Sequence, residues 1–235
     1  MAESTLSLTY SAILYQLARY LGWSTDSSTW SATQLADVAS IVREGLRSFY
    51  FPALSPDEPQ YEWSFLRRFS TVTFAAGDAT YDLPDDFACI VPESAMVSSG
   101  RVAKIDASDW QAKTTVSPRS GQPIYFAVRP KAHSPTGGQR WELLVYPTPD
   151  STGTFTYAYA HVPDALSETN IYPAGGAVYS QVIMQSIMAA AESLLDDNPT
   201  GPHRQAFAAQ LASAIRADRI LRSVSPETTA QGASA

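Results

Sequence analysis

Apolar residues recur at helical spacing near both ends of the chain and at strand spacing in between. Over 10–21, Ile13, Leu14, Leu17, Tyr20 and Leu21 fall on one helical stripe, and Gly22 is a natural stop. Over 31–50, Leu35, Val38, Ile41, Val42, Leu46 and Phe49 form a second stripe. It is opened by Ser31 and Gln34 at capping-box spacing and closed by the prolines of FPALSPDEP. After Pro59 the period drops to two, with strands predicted over 69–74, 87–91, 124–129, 141–146 and 154–160. Short strands are expected over 96–105, a helical turn over 106–112 capped by Asp106 or Ser108, and a loop over 114–123. In TFTYAYA, Phe155, Tyr157 and Tyr159 share one face and are expected in the core. Helical spacing returns over 175–197 and 202–224; in the last stretch Phe207, Leu211, Ala214, Ile215, Asp218 and Leu221 share a row.

The 175–197 stretch is the least ordinary. Tyr179, Ile183, Ile187 and Leu194 make one apolar row, Val178, Val182 and Ala189 another, and Met184, Ala191 and Leu195 a third. Its polar stripe is narrow: Gln181, Gln185 and Glu192. A helix apolar nearly all round needs protein on nearly all sides, so it is the centre of a bundle or is shared with a neighbouring subunit. Ser180, Gln181, Gln185, Ser186 and the Gly-Gly start argue against a membrane span.

Neither terminal pair of helices can bury its stripe alone. The expected fold is α+β: a discontinuous helical bundle from 1–60 plus 170–225, an antiparallel β-sandwich or barrel inserted over 61–169, and a flexible tail over 226–235.

Composition narrows the function classes. The chain has 235 residues, 45% apolar and 17% charged, with a net charge of −7. A sparsely charged surface suits burial in an assembly, and the acidic balance argues against a general nucleic-acid-binding surface. A single cysteine, Cys89, leaves no intrachain disulfide and no zinc cluster. The N-terminal stretch lacks the basic start of a secretory signal.

Candidate chemistry is thin. Asp82, Asp85 and Asp86 cluster in YDLPDDF, which reads as a polar turn rather than a metal site, since no calcium-loop spacing accompanies them. Asp196 and Asp197 sit at a helix end, and His133, His161 and His203 are isolated. Cys89, inside FACIV, is expected to be a small buried hydrophobe. No nucleophile elbow, phosphate loop or dinucleotide fingerprint occurs. Arg216, Arg219 and Arg222, three residues apart on the last helix, are a candidate contact for phosphates or an acidic partner against the plainer reading of a solvated face. No cofactor is implied.

Two segments carry a family resemblance. TVTFAAGDATYDLPDDFACIV and WELLVYPTPDSTGTFTYAYAHVPDALS, followed by a long weakly charged helix, resemble the head-to-tail adaptor (connector) proteins of tailed bacteriophages, the tail tubular protein A-like group. The resemblance implies a structural virion protein without enzymatic activity, assembled in the host cytoplasm. Such a protein forms a ring of about twelve copies between the portal protein and a tail nozzle or tail tube protein. DNA would pass through its channel without sequence-specific binding, and no membrane span is implied. On that reading Tyr179, Gln181, Met184, Gln185 and Glu192 are candidates for the subunit interface or channel. Arg216, Arg219, Arg222, Ser223, Val224 and Ser225 are candidates for portal docking. The alternative is a carbohydrate- or protein-binding module with the aromatic β region as its contact surface. Exposure of Trp141, Tyr157 and Tyr159 on one face would favour it, while a hydrolase would need convergent acid groups that the chain does not show.

Overall fold

A computed structural model describes residues 3–52, 60–195, 198 and 200–223. The chain is α+β and divides into two compact units. Leu66–Pro163 form one, and the segments before and after it together form the other.

The unit formed by the two ends is helical. Helix α1 (Tyr10–Leu21) starts at Thr9, whose hydroxyl accepts from the Ala12 N–H, and stops at Gly22, which takes the left-handed φ of 68° that glycine allows. Helix α2 (Ala32–Tyr50) carries the expected capping box: the Ser31 hydroxyl accepts from Gln34 N–H, and the Gln34 side chain accepts from Ser31 N–H. The central helix begins later than its apolar pattern predicts. Gly175 and Gly176 have φ values of 112° and 68°, so the chain turns there. A single tight turn over Ala177–Tyr179 follows, and then α4 (Ser180–Leu195). The last helix, α5, runs Pro202–Ser223.

Helix α4 packs against α1, α2 and α5. Val182, Ile183, Ile187, Ala189 and Ala191 are buried, as an all-round apolar helix requires. At Gly45 a Cβ would lie 2.5 Å from the Cα of Ile187, so α2 and α4 approach at backbone distance. Beside this crossing Phe49, Trp63, Phe65 and Tyr179 form an aromatic cluster, and the Trp63 indole N–H donates to the Phe49 carbonyl at 2.9 Å.

The second unit holds two sheets. Strands β1 (Arg67–Phe74), β3 (Phe87–Ile90), β4 (Met96–Val97), β5 (Gly100–Arg101) and β9 (Gly153–His161) form the first. In it β9 pairs with β1 along one edge and with β3 and β4 along the other, β5 lying outside β4. Strands β2 (Thr80–Asp82), β6 (Ala103–Lys104), β7 (Tyr125–Pro130) and β8 (Trp141–Tyr146) form the second, in the order β2-β8-β7-β6. Phe74, Phe155, Tyr157 and Tyr159 of the first sheet share a core with Phe126, Leu143 and Val145 of the second.

Four details depart from the sequence pattern. The β6–β7 pair is parallel, so the β region is not wholly antiparallel. The turn expected over 106–112 is a helix, α3 (Ala107–Val116), extending into the expected loop. Its anchor is Trp110, which donates to the Val145 carbonyl at 2.8 Å and packs on Ala127, Leu144 and Tyr146. Asp106 stands at its N-cap position but makes no side-chain cap bond. Cys89 is exposed rather than buried. The β3–β9 register shifts between Phe87 and Cys89, and this irregularity breaks the alternation that would have turned Cys89 inward.

Candidate docking surface

The polar side chain that most shapes the helical unit is Asp218, on α5 and wholly buried. In the same row of α5 Phe207 and Ile215 are buried and Leu211 and Ala214 half-buried, which is why the helix seats this face inward. A lone buried carboxylate is costly unless its oxygens are satisfied, and here they are. The Tyr61 hydroxyl donates to Oδ2 at 2.6 Å, and the Ser64 backbone N–H donates to the same oxygen at 3.2 Å. The Ser64 hydroxyl donates to Oδ1, as does the Tyr179 hydroxyl at 3.4 Å. Arg222, one turn further along α5, places Nε 3.2 Å from Oδ2.

Burial pushes the Asp218 carboxyl up. The Ser64 and Tyr61 donors and the Arg222 charge outweigh it and hold the group below the usual carboxylate range. The same contacts act in reverse on the phenols. Burial and then Asp218 push Tyr61 up to about 12, and burial and the Asp218 charge push Tyr179 up to about 12.

Around this anchor the candidate arginines separate. Arg222 is turned inward to Asp218, while Arg216 and Arg219 are exposed. The guanidinium groups of Arg219 and Arg222 lie 5.5 Å and 5.2 Å from the Tyr61 ring centroid. Leu221, expected in the buried row, is 65% exposed, and Ile220 beside it is 57% exposed. Ser223 is the last residue of α5; Val224 and Ser225 lie outside the described residues.

The polar stripe of α4 separates too. Gln181 is exposed and Met184 and Gln185 are half-buried, but Tyr179 and Glu192 are buried. The Glu192 carboxylate accepts from the N–H groups of His203 and Arg204, at 3.1 and 3.3 Å, in the first turn of α5. That is where a negative charge meets the positive end of a helix dipole. Gly201 gives it room, since any Cβ there would overlap the carboxylate. Gln185 Oε1 lies 3.1 Å from His203 Nδ1. Glu192 therefore ties α4 to α5 and does not face outward. Near the start of α4 a shallow groove of about 250 Å³ is lined by Val178, Gln181, Val182, Gln210, Ser213 and Ala217, with Val178 78% exposed.

In the β unit the three clustered carboxylates each have a cation: Asp82 with Lys131 at 2.6 Å, Asp85 with Arg140, and Asp86 with Arg68 at 2.7 Å. Asp86 also accepts from the Tyr159 hydroxyl at 3.0 Å. Among the described residues no cluster of His, Cys, Asp and Glu has metal-binding geometry. The aromatic face proposed for a sugar-binding module points inward: Tyr157 and Tyr159 are buried, and Trp141 is half-buried against the same core. A concavity of about 380 Å³ in this unit, beside Gln122 and Asp150, has Phe74 as its aromatic side chain, and that ring is only 2% exposed.

Asp218 and Glu192 are thus buried polar groups that tie the helices of one unit together, while Arg216, Arg219 and Leu221 are left exposed. Among the described residues no helix is long and apolar enough to cross a membrane. The family model for the SU10 adaptor protein matches residues 8–230. The chain belongs to that family, a phage head-to-tail adaptor family, and so has a structural adaptor role in the virion neck. Portal and tail interactions and oligomerisation are general properties of such adaptors. No curated protein matches the chain. The buried Asp218 network escapes sequence reading, because Tyr61 and Ser64 lie 157 and 154 residues away from it along the chain. The one available signal was an acid in an apolar row.

Proposed function

We propose that this chain is a ring-forming head-to-tail adaptor, seated between portal protein and tail nozzle or tail tube protein, that extends the DNA channel. The observation that carries the reading is the family match over residues 8–230. Its architecture is read as a discontinuous helical bundle, 1–60 plus 170–225, with a β-sandwich inserted over 61–169 and a C-terminal tail over 226–235. The ring holds about twelve copies, joined by a heterologous contact that closes by rotation. The exposed Gln181 and half-buried Met184 and Gln185 are assigned to the subunit seam or channel. Arg216 and Arg219, with Arg222 behind them and residues Ser223, Val224 and Ser225 beyond, are assigned to the portal.

The role is structural, not enzymatic. A net charge of −7 favours a conduit that repels DNA and lets it slide without sequence-specific contacts. Assembly takes place in the host cytoplasm and the product is the virion neck. The test is cryo-electron microscopy of the virion that contains this chain. The reading expects its density as a ring directly below the portal; density elsewhere in the particle, or none, rejects it.

A further inference from the structure

The β unit carries one long open edge. Among the described residues β1 has a single strand neighbour, β9, and its eight residues pair with it in unbroken register. The opening is visible in the burial of cross-strand pairs. By strand alternation Ser70 and Val72 face the same core as their β9 partners, Tyr157 and Phe155. The β9 pair is wholly buried, yet Ser70 and Val72 are only half-buried. On the other face Phe69 is 82% exposed. A strand edge offers a row of backbone N–H and C=O groups to any further strand, and proteins block it with charges, prolines, bulges or short length. From Phe69 to Phe74 β1 has none of these.

Such a row selects a peptide strand, and charge selects a second copy of this chain. Leu66–Pro163 hold nine basic and nine acidic residues, so the net charge of −7 falls wholly on the helical unit, and two β units meet without net repulsion. The other edges of the two sheets do not match β1: β5 and β6 have two residues and β2 has three, each with a charged side chain, and β3 has four with a shifted register. The matching strand is therefore β1 itself. Its charges, Arg67 and Arg68, stand at one end, so antiparallel pairing keeps them at opposite ends of the joint ribbon. We propose that the free chain pairs with a second copy through β1, antiparallel about a twofold axis normal to the sheet, so that two five-stranded sheets become one. Centred on Thr71, the pairing sets Phe69 of each copy beside Thr73 of the other, an aromatic against a β-branched side chain, and Ser70 beside Val72 over each half-open core. Copies related in this way point in opposite senses, so the contact differs from that of a ring, whose copies all point the same way. The proposal goes beyond the adaptor reading and is independent of it.

The experiment is sedimentation equilibrium of the full chain alone, with no portal protein present, over a wide range of concentration. Wild type is expected to reach twice the chain mass and to stop there. Thr71→Lys places like charges opposite each other at the centre of the pair and should weaken it by about tenfold or more. Thr154→Lys, equally exposed but on the inner strand β9, should leave it unchanged. Hydrogen exchange of the wild-type chain gives a reading that needs no variant: the amides of 67–74 should gain protection as concentration rises, ahead of the rest of the β unit. A chain that stays monomeric throughout overturns the proposal. A dimer that withstands Thr71→Lys, or that gains no protection over 67–74, assigns self-association to another surface and overturns it too. Equal loss in both lysine variants moves the contact from the edge to the sheet face, with the same consequence. Each of these results leaves the adaptor reading where it stands, since that reading is tested on the portal.

Discussion

The Tyr61 hydroxyl donates to the Asp218 carboxylate at 2.6 Å, joining the segment just before the β unit to the end of the last helix. The bond is buried, and Ser64, Tyr179 and Arg222 complete the shell. Removing one member of such a set leaves the others desolvated and unsatisfied, which is why its energetics exceed those of a surface pair. Asp218→Ala should therefore lower unfolding stability by about 3 kcal/mol or more. Tyr61→Phe, which keeps the ring, should lower it by about 1–2 kcal/mol. Guanidinium unfolding of the three proteins measures both, and an Asp218→Ala loss below that of Tyr61→Phe would contradict the arrangement.

The network also predicts pH dependence at both ends of the scale. The Asp218 carboxyl is lower in the folded chain than in the unfolded one. Its contribution is thus present above the unfolded value of about 3.9 and is lost as pH falls through the folded value. Tyr61 and Tyr179 are raised to about 12, so their contribution is complete below the unfolded value of about 10 and is lost as pH rises toward 12. Stability curves for wild type and Asp218→Asn should converge below about pH 4. A gap that stays constant into acid would contradict the linkage.

The backbone contact at Gly45 has its own signature. A Cβ there would sit 2.5 Å from the Ile187 Cα, a place where nothing flexible can move aside. Gly45→Ala, ordinarily favourable inside a helix, should instead destabilise by about 1–3 kcal/mol, as overpacking does. A rise in melting temperature would show that α2 and α4 are further apart.

Glu192 is expected to act as the anion at the start of α5. Glu192→Ala removes the acceptor for the His203 and Arg204 N–H groups and should cost about 1–2 kcal/mol. Hydrogen exchange localises the effect: those two amides should lose protection ahead of the rest of α5. Uniform loss along the helix would contradict a cap.

Much of the fold was legible in the sequence. The α2 capping box was readable because Ser31 and Gln34 are three residues apart, and the inward face of β9 because Phe155, Tyr157 and Tyr159 alternate with small residues. What failed was what periodicity does not encode. Cys89 escaped because a register shift is a property of the β3–β9 pair, not of either strand. Helix α3 escaped because a helix held by Trp110 alone has no apolar stripe to read. Leu221 followed its row on paper, yet the buried surface ends at Asp218. Glu192 looked like part of an outward stripe with Gln181, but its partners lie in the next helix. The adaptor segments were legible as short motifs in order.

The most direct test of the adaptor account is negative-stain imaging of portal rings incubated with this chain. The account predicts a second, closed ring of the chain added to one end of the portal, coaxial with its channel. Portal rings that stay bare at saturating chain concentration would contradict it.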